Sequence, residues 1–232
     1  MTVSTPRTPG LFAQLGRFFG LDRERFRKDP IDSVESLARF AQTRASFIAQ
    51  SSLFGYLKTR MGTSFRKYFE DEVFSRSIRI SAIKVFSSCL SDLTVFAVAT
   101  AARDGRLDPA ESETLARWCY DRGLARHLDA HDLMHVPEGA IQSFAARTRD
   151  TDWAAAAEGE AAFRGSALDL VRYAPVIDEY RESDREIVQN SIRFHWRDVR
   201  ADFRKRVRGE AVAADFRAGG FSDPDGEQPQ SR

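Results

Sequence analysis

The sequence predicts an all-α fold, a single multi-helix bundle with a buried central helix. Three observations predict it. Apolar residues recur at helical spacing along most of the chain, with no run of strict alternation that would mark a strand. A long, mostly apolar segment ends at Asp104-Gly105. A second helix restarts at once behind Asp108-Pro109, with Glu111 as the reciprocal acid, which is a strong helix-start pattern. The 232 residues suit one domain with tails, and the 18 Phe supply a substantial core.

Residues 1–30 read as a disordered start followed by a basic amphipathic segment. Leu11, Phe12, Leu15, Phe18 and Phe19 share one side of a helix, and Arg17 lies among surrounding cations. Such a segment can lie in a membrane interface, and its cations would favour anionic lipids. Asp29-Pro30 breaks it. Asp32 and Glu35 have the spacing of a capping box for a helix reaching Met61. Gly62-Thr63-Ser64 is a stop, and a short piece with Phe65, Tyr68 and Phe69 leads on.

The central helix, about Phe74 to Arg103, has an apolar arc wide enough to be surrounded by other helices. Ala82–Ala102 is also long enough to span a bilayer. Lys84 and Asp92 oppose that reading, because charges near a bilayer centre are costly, and a core helix is expected. Gly123 is the expected end of the next helix, with a short amphipathic piece over Leu124–Met134. A helix then reaches Arg147, an Ala-rich one starts at Thr151-Asp152-Trp153, and Ser166 with Asp169 caps the one after. The last long helix runs from about Pro175 to Arg208, with a kink near Ser183. The bundle domain is thus placed at 31–208 and a disordered tail at 209–232.

Charge and cysteine usage narrow the function classes. A net charge of +1 argues against a generic nucleic-acid binder, and no sequence-specific nucleic-acid partner is expected. Cys89 and Cys119 have no C-x-x-C spacing and sit in apolar helical surroundings, so they read as small hydrophobes in a reducing compartment. Residues 1–30 lack the pattern of a signal peptide. A cytoplasmic protein is expected, at the inner face of the cytoplasmic membrane.

Four groups of side chains could carry chemistry or binding. His127 and His131, with His135 beyond, have the four-residue spacing that presents imidazoles on one helix face to a metal ion. The H-E-x-x-H pattern is absent, since Leu128 follows His127, and the alternative is a polar helix face. Asp92 falls in the apolar arc, where burial would raise its pKa as a proton relay needs; a structural ion pair with a core Arg gives the same pattern. Arg193, Arg197, Arg200, Arg204 and Arg208 form a basic face on the last helix, suited to an anionic partner or to covering the core edge with their stems. The fourth group is the membrane-binding segment, which could instead dock on the body.

Ala102-Arg103-Asp104-Gly105, with Leu107 and Glu111, resembles the helix–turn–helix entry of TerB-like (tellurite-resistance) domains. It also resembles the second half of an EF-hand loop, but Thr100 and Ala102 stand where that loop needs its first ligands. The segments Ser51–Gly62, Cys89–Thr94 and Ile187–Phe194 resemble an uncharacterised bacterial all-helical family whose members often carry the label "esterase". That resemblance implies a shared helical fold. Neither Gly62-Thr63-Ser64 nor Gly165-Ser166 completes a G-x-S-x-G elbow. The expectation is a non-catalytic helical scaffold or adaptor without a cofactor, peripheral to the membrane and binding an unidentified protein partner. The alternative is a hydrolase or metal-dependent enzyme using the His127/His131 face or Asp92.

Overall fold

A computed structural model describes residues 28–64 and 71–220. Nine helices form among the described residues: α1 (Val34–Met61), α2 (Glu72–Gly105), α3 (Pro109–His127), α4 (Ala130–Leu133), α5 (Ala140–Arg149), α6 (Trp153–Glu158), α7 (Gly165–Tyr173), α8 (Asp178–Arg206) and α9 (Gly209–Arg217). No strand forms there; the β pairing present is an isolated parallel bridge between Ile31 and Val207. The predicted all-α bundle is thus observed.

α2 is the axis of the bundle and touches α1, α3, α5, α6, α7 and α9. It is the one described helix long and apolar enough to cross a membrane, and 89% of its apolar stretch is buried inside the fold. That burial explains its wide arc: residues on nearly every side of the helix need an apolar neighbour. A chain of aromatics ties α8 to it. Phe203 meets Phe96 edge-on at 5.7 Å, Phe96 meets Phe163 at 5.4 Å, and Phe163 meets Trp196 at 4.7 Å. Full burial of side chains of this kind contributes about 1.5–3 kcal/mol each.

Several boundaries differ from expectation for identifiable reasons. The N-cap of α1 is Ser33, not Asp32, because the Ser36 hydroxyl accepts from the amides of both Asp32 and Ser33. Glu35 is thereby released to face Arg122 and Arg126. A further amide of this first turn, Val34 N–H, donates to Asp215 Oδ2 of α9 at 2.8 Å. The Asp108–Glu111 capping box is present as read. The left-handed residue that closes α2 is Arg106 (φ 53°), not Gly105. Gly105 is needed elsewhere, against the backbone of Gly209.

Gly123 does not end α3. A Cβ there would lie 2.9 Å from Leu90 Cδ2, so the glycine serves close packing on α2 and the helix continues to His127. α8 is one continuous helix through Ser183. Disorder from residue 209 does not hold either: Val212, Ala213 and Phe216 of α9 are buried in the core. The predicted N-terminal segment, with Leu11, Phe12, Leu15, Arg17, Phe18 and Phe19, lies outside the described residues, as do Phe65, Tyr68, Phe69 and 221–232.

Candidate functional site: the α1/α8 cleft and its apolar ridge

The structure does not bring His127 and His131 together. α3 ends at His127, Leu128 is extended (φ −112°, ψ 131°), and α4 begins only after the Asp129 cap. His127 turns inward: Nδ1 is 3.1 Å from Gln42 Nε2, Nε2 is 3.2 Å from Ser46 Oγ, and its ring is 4.3 Å from that of Phe86. His131 is exposed, 5.2 Å ring to ring from His135. Its ligand nitrogen lies within 4.8 Å of carboxylate oxygens of Asp129 and Asp132. Those acids already have a cation, since Arg79 Nη2 is 2.8 Å from Asp132 and 3.9 Å from Asp129.

Burial lowers the His127 pKa from its ordinary 6.5 to about 4, with Asp132 opposing. The folded state therefore binds this proton less readily than the unfolded chain. Its contribution is intact above pH 6.5 and is lost as pH falls toward 4. We expect urea midpoints to drop over that window by the equivalent of about 2–3 kcal/mol, from the shift at 1.36 kcal/mol per unit. His127→Gln should flatten the drop; an unchanged slope would assign the acid sensitivity to other groups.

Asp92 ties α2 to α5 and α7. It is fully buried, accepts from Arg147 Nη1 at 2.7 Å, and accepts from the Ser166 amide at 2.7 Å. Burial raises its pKa, while Arg147 and Ser166 pull the other way. The Ser166/Asp169 cap expected from sequence is not formed. Asp92 caps α7 from a different helix, Ser166 Oγ accepts from Trp196 Nε1 at 3.0 Å, and Asp169 accepts from Ser88. Asp92 borders a polar cleft of about 530 Å³ that also holds Lys84, Ser88 and Arg172.

The basic face divides. Arg204 donates to the carbonyls of Ala157 and Glu158 at 3.1 and 2.9 Å, closing the C-terminal end of α6. Arg200 lies 5.7 Å from the Phe163 ring, and Arg208 donates to the Val207 carbonyl at 3.0 Å. Arg193 and Arg197 point outward, Arg197 lying 4.3 Å from the exposed Phe194 ring.

Sequence reasoning missed a second cleft, of about 550 Å³, between α1 and α8. Ser52, Tyr56 and Arg60 form one wall, and Asp184, Ile187 and His195 the other. Arg60 grips Asp184 with Nε and Nη2, and Tyr56 donates to the same carboxylate at 3.0 Å. The arginine holds the Asp184 carboxyl below its usual range; burial, then Asp184, pushes the Tyr56 phenol up to about 12. Ser52 Oγ lies 3.1 Å from His195 Nδ1. Ser52 sits in the interior of α1, where backbone amides are spent on the helix ladder, so this pair lacks the elbow of an acyl-transfer site.

Beside the cleft, α8 leaves an apolar ridge in solvent: Tyr180 is 40% exposed, Ile187 73% and Phe194 64%. These residues are spaced by seven, roughly two helical turns, which keeps them on one edge. The buried face of the same helix is Val188, Ile192, Val199 and Phe203, so the ridge is a second apolar line. That spacing was its available sequence signal. The segments Ser51–Gly62 and Ile187–Phe194, singled out above, both contribute walls to this cleft. No protein-family model, curated protein or solved structure matches the chain.

Proposed function

We propose that this chain is a non-catalytic helical adaptor whose protein-contact surface is the α8 ridge and the cleft beside it. One observation carries the reading: Tyr180, Ile187 and Phe194 stand in line and exposed on a helix that buries another apolar face. Apolar side chains in a row beside a groove are how a helical surface takes a partner helix. The structural roles of Asp92 and His127 support the same reading, because each side chain is engaged in holding helices together. Peripheral attachment to an anionic membrane through residues 11–28 belongs to this proposal on sequence grounds.

The test places a photo-crosslinking residue at position 187, with exposed Glu210 as the control position. Adducts of defined mass from 187 and none from 210 are expected. No adduct from 187 sinks the contact-surface reading. The same protein, spun with anionic liposomes, should pellet only when residues 1–28 are present; equal behaviour with and without them removes the membrane from the proposal.

A further inference from the structure

We infer that the α8 ridge joins two copies of this chain, their α8 helices packed antiparallel about a two-fold axis at Ile187. The inference rests on the contact-surface reading above and names its occupant. Spacing is the first observation behind it. Tyr180 and Phe194 stand seven residues to either side of Ile187. An antiparallel two-fold therefore sets Tyr180 of each copy opposite Phe194 of the other, and Ile187 opposite itself. The ridge from Tyr180 to Phe194 is about 21 Å long at the helical rise, and every contact off the axis occurs twice in an isologous pair.

Charge decides the direction and the occupant. Outward of the ridge, the N-terminal half of α8 exposes Glu179, Glu182 and Glu186 and the C-terminal half Arg193 and Arg197, with Arg185 on the far flank and Asp198 3.3 Å from Arg197. An antiparallel pair brings Arg197 beside Glu179 of the second copy and Arg193 beside its Glu182, each twice. This single helix thus carries both halves of a complementary surface, which an unrelated partner would have to supply separately. Phe194 of the second copy then arrives at the Tyr180 end of the cleft, beside the Arg60–Asp184 pair.

Sedimentation equilibrium of the purified full chain, from low to high micromolar, tests this. A dimer is expected. Ile187→Glu, which meets its own copy at the axis, should weaken it by about tenfold or more, as central interface residues do. Its helical circular dichroism should be unchanged, since position 187 faces solvent in the single chain. Arg197→Glu and Glu179→Arg should each weaken the dimer, and the double variant should restore it. A monomer at every concentration overturns the inference, and so does a double variant no better than the singles. The position-187 crosslink separates the two proposals. An adduct at twice the chain's mass supports the second copy, an adduct of another mass overturns it while the contact surface stands, and no adduct overturns both.

Discussion

Asp92→Ala is expected to cost about 2–4 kcal/mol of folding stability, below the full penalty for breaking a buried charge pair because Arg147 is 29% exposed. The change strips Arg147 of its carboxylate and leaves the Ser166 amide, an orphan donor in the first turn of α7, without an acceptor. Through Ser166 the loss extends to Trp196, whose indole N–H donates to that serine. Asp92→Asn should be milder. Its side-chain oxygen can still accept from Ser166, and the charge that burial disfavours is gone. Urea unfolding of both variants checks the order. An alanine variant as stable as the parent would show that α7 is held by packing alone.

Gly105→Ala should destabilise by about 2–3 kcal/mol, although alanine is the better helix former by about 1 kcal/mol. A Cβ at Gly105 would stand 2.4 Å from the Gly209 carbonyl oxygen and 2.6 Å from Ala213 Cβ. The nearest obstacle is backbone, so α9 must move away as a unit. Gly209→Ala meets the Ala101 oxygen at 2.6 Å and should behave alike. Gly55 provides the control with opposite sign. It lies inside α1 with nothing within 4 Å of a Cβ, so Gly55→Ala should stabilise by about 0.5–1 kcal/mol. Equal thermal shifts in all three would place the effect in helix propensity and not in the α2/α9 contact.

What was legible in the sequence was local. Asp108, Pro109 and Glu111 announce α3 because a capping box is a local, four-residue device, and the wide apolar arc announces α2 as core. Tertiary uses of the same residue types were not legible. Gly123 and Gly105 look like stops, yet one receives Leu90 and the other receives a neighbouring backbone. The α7 cap could not be found near α7, since its acceptor lies 74 residues earlier on α2. α9 was hidden by the Gly- and Asp-rich sequence after it, although Val212 and Phe216 are spaced as helix neighbours. The four-residue histidine spacing misled because periodicity presumes an unbroken helix, and Leu128 breaks it.

The amide of Val34 is satisfied by Asp215, 181 residues further along the chain, and Ile31 N–H donates to the Arg206 carbonyl at 3.0 Å. During synthesis, α1 therefore leaves the ribosome with its first turn incomplete and must wait for almost the whole body to follow. Its apolar face, Leu37, Ile48 and Leu53 among others, waits with it. A nascent chain stopped before residue 206 lacks both closures, so this bundle cannot become cooperative until α9 has emerged, and the interval before that is when holding chaperones have most surface to bind.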